Sequence, residues 1–302
     1  MWRSTPGSAS PDRRARSLGI VRASGGARVG AAILVVVGLC AAVPQLLAPI
    51  DPTEQRLLAR FTPPLSRSAD GTFAVLGTDQ LGRDILSRLI YGARTSSLIG
   101  FAAVLIAGLT GTTLGLLAGV RGGVSDHAVM RLADMQLAFP FILLAITVIG
   151  ILGPSIRNLI LVVGFANWAA YARVVRAETL AVRERPFVEA ARSLGLTLPH
   201  LVVRHILPNV SASLMVVATF GIAGAILTEA GLSFLGLGVP VAIPSWGGML
   251  AEGRQYVDTR YWLALFPGAA LFMTVMAINL VGDTLRDAFD PYLHVRRSLD
   301  QL

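Results

Sequence analysis

Charged stretches and uncharged apolar runs alternate along this chain, and the alternation predicts a polytopic helical membrane protein. A helix needs roughly 20 apolar residues to cross a bilayer. Six runs approach or exceed that length, and we predict six transmembrane helices at residues 29–47, 96–120, 135–152, 158–172, 209–228 and 261–282. Pro140 lies inside the third run, while Arg157 and Arg173 flank the short fourth run, where long side chains reach the interface. The predicted fold class is all-α.

The polar intervals divide the chain into five predicted parts. Residues 1–28 are rich in Arg, Ser, Pro and Gly, a composition typical of a disordered cytoplasmic tail. A first transmembrane helix at 29–48 and an extracytoplasmic segment at 49–94 follow. The core at 95–283 contains a cytoplasmic loop at 173–208, and residues 284–302 form a second cytoplasmic tail.

Two intervals outside the spans carry patterns of their own. Between positions 81 and 94, apolar residues recur at helical spacing while Arg83, Asp84, Ser87 and Arg88 occupy the opposite side. This pattern predicts an amphipathic helix on the outer membrane surface. Residues 230–251 are uncharged but rich in Gly and Pro, which predicts irregular or re-entrant structure enclosed by protein or water.

Charge supports this topology and narrows the function. The 302 residues carry a formal net charge of +8, and all 26 basic residues are Arg. The predicted topology puts 17 Arg on cytoplasmic segments and 9 on outer segments, as the positive-inside rule requires. Both termini are therefore predicted in the cytoplasm, and the basic charge gives no reason to expect a nucleic-acid partner. Without Lys the chain cannot form a standard Walker A phosphate loop.

Residues able to carry catalysis or metal binding show no constellation. Cys40 is the only cysteine and lies in an apolar run, so neither an internal disulfide nor a thiolate cluster is expected. The four His residues are scattered without metal-ligand spacing. We therefore predict no active site, no metal and no cofactor in this chain.

Residues 173–208 are too charged to cross the membrane and too patterned for a slack linker. Pro186 is placed to open a helix, with Glu189 in its first turn and Gly195 at a left-handed end. The predicted apolar face consists of Phe187, Ala190, Ala191 and Leu194. Thr197 and Pro199 are placed to start a second short helix. From the residues alone, a docking knob for a partner protein and an ordinary packed loop are equally favoured.

The same residues resemble the EAA signature of ABC importer permeases. Glu189, Ala190 and Ala191 are followed after three residues by Gly195, and further on by the pair Leu207 and Pro208. The family pattern has Ile two residues before that Leu, where this chain has His205 with Ile206 beside it. The resemblance implies that this segment is the coupling helix that sits in a cleft of a separate ATPase subunit.

Further motifs resemble the dipeptide, oligopeptide and nickel permeases, specifically the C-type member of their permease pair. They lie at 77–84, 87–94, 244–247 and 282–291, so the resemblance covers roughly residues 29–292. It implies a type I ABC importer permease fold in the bacterial cytoplasmic (inner) membrane. The implied partners are a second homologous permease, two ATPase subunits that bind ATP and Mg, and an extracytoplasmic substrate-binding protein. The implied substrate is a short peptide, with nickel or another small solute as the alternative.

Two further features have competing interpretations. Gly111, Gly115 and Gly119 form a stripe of small residues that favours close helix packing over a place in the pathway.

Glu229, at the end of the fifth span, is a carboxylate in a region where burying a charge is costly. A hydrogen-bond partner or a lining role is favoured for it over a proton relay. A stand-alone proton-coupled carrier using Glu229 remains the alternative class of function, and it would need no patterned loop at 173–208. An intramembrane enzyme is disfavoured because no catalytic constellation is present.

Overall fold

A computed structural model describes residues 25–289 of the chain. Most of both predicted tails lies outside this range. Residues 25–28 already belong to the first helix, and residues 284–289 belong to the last one, so each tail is shorter than predicted.

The described chain is mostly helical. Its helices are α1 (Gly25–Ala42), α2 (Pro44–Leu47), α3 (Ile85–Arg121), α4 (Gly123–Ala138), α5 (Phe141–Leu152), α6 (Ile156–Arg183), α7 (Pro186–Ser193), α8 (Leu198–Leu201), α9 (Leu207–Phe234), α10 (Trp246–Gly253) and α11 (Trp262–Phe289). Short 3₁₀ turns at Leu57–Ala59 and Arg254–Tyr256 accompany them. A two-stranded antiparallel hairpin, β1 (Ser66–Arg67) and β2 (Phe73–Ala74), lies in the first outer segment and pairs Ser66 with Ala74.

Helix α3 corrects the predicted amphipathic surface helix at 81–94. The helix begins at Ile85, where the Asp84 carboxylate accepts a hydrogen bond from the Ser87 backbone N–H at 2.8 Å. It then continues without a break for 37 residues, about 55 Å at the usual rise. Its polar side does not face the membrane surface, since Ser87 and Arg88 are buried in the protein. The helical periodicity at 81–94 therefore reflects a helix that packs on protein and not one that lies on the membrane surface.

The predicted third span at 135–152 is also corrected, because the chain bends by 85° between α4 and α5. Phe139 precedes Pro140 and adopts extended dihedrals, as expected for a residue before proline. Pro140 has no N–H to continue the helix, so the two halves separate there. Helix α4 retains the charges Asp126, Arg131 and Asp134.

Five helical stretches within residues 25–289 are long and apolar enough to cross a membrane, and the count reaches six if the bent pair α4 and α5 forms one span. The five are Gly25–Ala42, Ile85–Arg121, Ile156–Arg183, Leu198–Phe234 and Trp262–Ala288. The helices that contain the fourth and fifth predicted spans are therefore longer than those spans. Helix α6 continues 11 residues beyond its predicted end, to Arg183, and thereby takes the first part of the predicted cytoplasmic loop.

Helix α3 is the centre of the packing because its small residues let other helices approach closely. A methyl group at Gly111 would lie 2.5 Å from the Trp168 carbonyl oxygen of α6, and one at Gly115 would lie 2.6 Å from the Ala172 carbonyl oxygen. Helix α1 packs on α11 in the same way, since a methyl group at Gly30 would approach the Ala277 carbonyl oxygen to 2.9 Å.

Candidate functional site

Helix α7 has the ends that its sequence predicts. Pro186 occupies the first helical position and Glu189 lies in the first turn. At the other end Gly195 has φ +82°. The Gly195 N–H donates to the Arg192 carbonyl at 2.9 Å and the Leu196 N–H donates to the Ala191 carbonyl at 3.3 Å. These two bonds make a Schellman turn, which redirects the chain into α8.

The buried side of α7 differs from the predicted apolar face. Val188 and Ala191 pack into a cluster formed by α6, α8 and α9, whose other members are Val175, Val182, Leu201, Ile206 and Val210. Of the predicted face, only Ala191 is buried. Ala190 is exposed, Phe187 is 42% exposed and Leu194 is 81% exposed. Helix α7 is therefore anchored through a narrow buried side, and its apolar residues Phe187 and Leu194 are left exposed.

The Leu207–Pro208 pair continues the helix instead of ending it. The Leu207 N–H donates to the Val202 carbonyl across a π-helical turn at Val202–Ile206. This wider turn accommodates Pro208, which has no N–H and whose ring crowds the preceding turn. The Asn209 side-chain amide also donates a hydrogen bond to the His205 carbonyl, at 2.7 Å.

Polar contacts fix the base of this coupling segment, defined as residues 184–208, to the rest of the molecule. Arg176 on α6 makes two hydrogen bonds to Asp126 on α4. Arg183 donates to the Gly119 carbonyl of α3 at 3.0 Å. Ser213 on α9 donates to Glu178 on α6 at 2.8 Å. These contacts join the end of α6, from which residues 184–208 continue, to α3, α4 and α9.

The glycine stripe of α3 faces α6 along its length. Gly111 and Gly115 meet backbone carbonyls, as described above, and a methyl group at Gly119 would lie 2.7 Å from the Thr179 Cβ. The three positions are in helix contact and leave no room for a passing solute between them and α6.

Glu229 is fully buried where α3, α9 and α10 meet. Its carboxyl accepts hydrogen bonds from the Ser233 hydroxyl at 2.8 Å and the Ser96 hydroxyl at 3.2 Å. The Ser96 oxygen in turn accepts a hydrogen bond from the Trp246 N–H at 3.3 Å. Within residues 25–289 no Arg or His forms an ion pair with this carboxyl. The arrangement joins three helices and does not place Glu229 on an open surface.

A group of charges on the predicted outer side, three of them buried and the fourth, Glu252, 15% exposed, was missed by the sequence analysis. We call it the outer clamp: Asp79, Arg83, Arg88 and Glu252. Arg88 donates to Asp79 at 2.6 Å and, with both terminal nitrogens, to Glu252 at 2.8 and 3.0 Å. Arg83 donates to the same two carboxylates, at 2.6 Å each. The motif at 77–94 was the available signal, but no spacing rule pointed from it to Glu252.

Electrostatics keep Glu252 ionised. Burial raises its pKa, but the hydrogen bonds and charge of Arg88, with contributions from Arg83 and Gln80, outweigh burial and hold the pKa below its ordinary value. Gln80 donates to the same carboxylate at 2.9 Å. The clamp is thus a neutral set of two guanidinium groups and two carboxylates.

Two further features of the described residues bear on chemistry: the possible metal ligands and an apolar recess. No group of three or more His, Cys, Asp or Glu side chains suited to a metal ion occurs between residues 25 and 289. An apolar recess of about 500 Å³ lies between the α4–α5 bend and α6, with Gln136 as its one polar side chain besides Trp168. The Gln136 amide already donates to the Phe165 and Ala166 carbonyls, at 2.8 and 2.6 Å.

Comparison with known proteins relates this chain to membrane components of transport systems. The profile of the family described as "Binding-protein-dependent transport system inner membrane component" matches residues 111–295. The di/tripeptide transport system permease protein DppC of Pseudomonas aeruginosa is 42% identical over 89% of this chain and 88% of its own length. The glutathione transport system permease protein GsiD of Pectobacterium atrosepticum is 45% identical over 72% of each chain.

Solved structures share the fold at lower identity. An inward-facing structure of the MetNI methionine ABC transporter has a TM-score of 0.53 at 20% identity, covering 67% of this chain and 96% of that one. A crystal structure of an amino acid ABC transporter with histidines has a TM-score of 0.52 at 15% identity, covering 66% and 92%. The core of this chain therefore has the fold of ABC importer transmembrane subunits.

Proposed function

The chain belongs to the family of binding-protein-dependent transport system inner membrane components, and on that premise we propose that it imports short peptides as one of two related permeases in an ATP-driven assembly. It is a permease subunit of an ABC importer and not an enzyme. The proposed pathway lies between this chain and the second permease. An extracytoplasmic binding protein delivers the substrate, and two ATPase subunits bind ATP and Mg on the opposite side.

The exposed surface of α7 is the main support for a role in coupling to the ATPase subunits. Its Phe187 and Leu194 side chains are uncovered, while Val188 and Ala191 anchor the helix from behind. A short helix with an apolar exposed side suits a groove in a partner protein. The Schellman turn at Gly195 sets the direction of the chain after α7, and the ion pair between Arg176 and Asp126 fixes α6, which precedes it. We assign ATPase docking to Glu189, Ala190, Ala191, Gly195, Leu207 and Pro208 within this segment.

The names of related proteins support a peptide substrate. The di/tripeptide permease and the glutathione permease both transport peptides by their names, at 42% and 45% identity. The dipeptide transport system permease protein DppC of Haemophilus influenzae is 41% identical over 89% of this chain. Family membership argues against a stand-alone carrier that uses Glu229, whose carboxyl is held by two serine hydroxyls.

Location and layout follow from the same assignment. We place the chain in the bacterial cytoplasmic membrane with both termini in the cytoplasm. The segment between α1 and α3, including the β-hairpin, then lies outside, and α7 lies inside. The excess of Arg on the inner segments, 17 against 9, supports this orientation.

Transport by the reconstituted assembly tests the substrate. The chain is purified with its partner permease, the ATPases and the binding protein, and uptake of a labelled dipeptide and a labelled tripeptide into vesicles is measured with ATP inside or outside. We expect uptake that requires ATP on the ATPase side and is reduced by excess unlabelled peptide, but not by nickel or haem. Uptake of nickel in place of peptide would overturn the substrate class while leaving the permease function intact.

A further inference from the structure

A sequence motif that the coupling function does not use contacts α10 in the structure. The stretch 77–94 contributes Asp79, Arg83 and Arg88, and Glu252 stands on α10, more than 150 positions later in the chain. Their side chains form the outer clamp described above. The side chains of Asp79 and Arg88 are each 3% exposed and that of Arg83 is 6% exposed.

Burial makes these contacts hard to separate. Guanidinium and carboxylate groups out of contact with water are stable only when paired, and removing one partner leaves an uncompensated buried charge. Each arginine here bridges the same two carboxylates, so displacing Glu252 leaves two buried guanidinium groups to share the single carboxylate of Asp79. The clamp therefore resists any motion of α10 relative to the first turn of α3.

A second set of contacts holds α10 from its other end. The Trp246 indole N–H donates to the Leu89 carbonyl at 3.1 Å, and the Trp246 backbone N–H donates to Ser96. Both acceptors lie on α3. A methyl group at Gly247 would lie 2.4 Å from the Ala230 Cα of α9, and one at Gly253 would lie 2.7 Å from the Leu263 carbonyl oxygen of α11. Helix α10 is in close contact with three longer helices.

The loop that carries Asp79 is fixed independently of α10. The Trp262 indole N–H donates to the Thr78 carbonyl at 3.4 Å, and the Thr78 hydroxyl donates to the Ala59 carbonyl. A methyl group at Gly82 would collide with the Arg56 carbonyl oxygen, at 1.8 Å. Residues 77–84 therefore have no free space in which to shift.

We propose that α10 and residues 77–84 remain bound to α3 throughout the transport cycle, so that α10 does not act as a moving lid. The inference rests on the proposed transport function, because it concerns how the pathway opens. A short helix between the fifth and sixth spans would otherwise be the natural candidate for a moving lid. The outer clamp makes it part of a rigid unit.

Distance measurements between spin labels test this directly in the complete transporter. Val75 and Gln255 are exposed, and they flank the clamp on its two sides. In a Cys40→Ser background, labels at Val75→Cys and Gln255→Cys are measured by pulsed electron paramagnetic resonance, first without nucleotide and then after trapping with ATP and vanadate. We expect one narrow distance distribution, unchanged between the two states. A shifted distance or a second population in the trapped state would overturn the inference.

Matched variants show whether the clamp is responsible. Glu252→Gln removes the charge that both arginines bind, so the distribution is expected to broaden. Asp134→Asn breaks the ion pair with Arg173, whose side chains are about half exposed, and is expected to leave the distribution unchanged. An unchanged distribution in Glu252→Gln would contradict the role given to the clamp. The wild-type comparison stands even if Glu252→Gln fails to fold.

ATP hydrolysis stimulated by the binding protein is measured in the same samples, which separates this inference from the proposed function. A sample without such hydrolysis argues against the transport function. The clamp is then judged by the difference between wild type and Glu252→Gln in the nucleotide-free state, where broadening supports it and no change refutes it.

Discussion

At the scale of single residues, Gly195 shows a helix end set by backbone conformation alone. Its φ of +82° lies in the left-handed region, and a side chain added there would meet no atom within 4 Å. Any effect of substitution therefore comes from the backbone and not from a collision. Because α8 follows within two residues, the angle at this position aims the rest of the coupling segment.

Gly195→Val is expected to strain this turn by about 1–2 kcal/mol and re-aim α8. The permease should still insert, while ATPase copurification per inserted permease falls. Gly195→Asn is the matched control, since Asn tolerates a left-handed helix end. Equal copurification for wild type and Gly195→Val would show that the segment is not the ATPase contact.

The Tyr171 hydroxyl packs against Gly221, in the space where any other residue would have a side chain. A methyl group at position 221 would come within 2.1 Å of the Tyr171 oxygen. Gly221→Ala is therefore expected to lower stability by roughly 1–3 kcal/mol, as overpacking does. The Tyr171 oxygen has no hydrogen-bond partner among residues 25–289, so Tyr171→Phe should be nearly neutral and should rescue Gly221→Ala.

The midpoint of thermal unfolding in detergent measures both variants and their combination. A double variant as unstable as Gly221→Ala would mean that the collision is not with the hydroxyl.

Glu252 predicts how the outer clamp responds to acid. Its pKa lies below the ordinary value of 4.5, so the ionised form is favoured by folding. The stabilisation is complete above that ordinary value and is lost as pH falls through the folded-state pKa. Thermal stability of the purified permease should therefore fall below pH 4.5, and Glu252→Gln should be less stable at pH 7 with a weaker acid dependence. The same pH slope in both proteins would contradict this assignment.

At the scale of elements, α7 has a buried side that anchors it and an exposed side that we propose docks the ATPase. Val188 is 1% exposed and packs on α6 and α9, whereas Leu194 is 81% exposed. The apolar pattern in the sequence did not distinguish these two uses, because an apolar residue has the same spacing whether it meets its own protein or a partner.

Leu194→Ser and Val188→Ala are therefore expected to differ in kind. Leu194→Ser should leave thermal stability within about 0.5 kcal/mol of wild type, as surface changes do, and weaken ATPase copurification. Val188→Ala should cost roughly 1–3 kcal/mol of stability by leaving a cavity. Copurification is normalised to folded permease. Loss of ATPase by Val188→Ala alone would place the docking surface on the other side of α7.

At the scale of the whole molecule, the arrangement places the β-hairpin and the coupling segment at opposite ends of the helices. Helix α3 runs from the outer clamp to the glycine contacts with α6, about 55 Å in all. One helix thus contacts both the outer segment and the base of the coupling segment, through Arg88 at one end and Gly119 at the other.

Asp70, in the hairpin turn, tests the orientation of the molecule. In a Cys40→Ser background, Asp70→Cys should react with a membrane-impermeant thiol reagent added outside the cell, whereas Phe187→Cys should react only after permeabilisation. Reaction of Asp70→Cys from the cytoplasm alone would invert the proposed topology.

The sequence by itself determined the helical membrane class, the ends of α7 and the family. These follow from local rules: run length, proline and glycine at helix ends, and the spacing of Glu189 to Gly195. Helix boundaries were less well predicted, because α3 joins the predicted helix at 81–94 to the predicted span at 96–120, and α6 continues into the predicted loop at 173–208. The charge of Arg88 is buried, and Asp79 and Glu252 compensate it.

Only the tertiary structure decided which residues meet across the fold. The Glu229 carboxyl accepts a hydrogen bond from Ser96 on α3, and Arg88 donates one to Glu252 on α10. The partners are 133 and 164 positions apart in the chain. Periodicity reports which side of a helix is apolar, but not what lies against it. The burial of Val188 instead of Phe187 likewise depends on neighbours contributed by α6, α8 and α9. Long-range pairing of polar groups under burial has no local signal, and this is why the outer clamp emerged only from the fold.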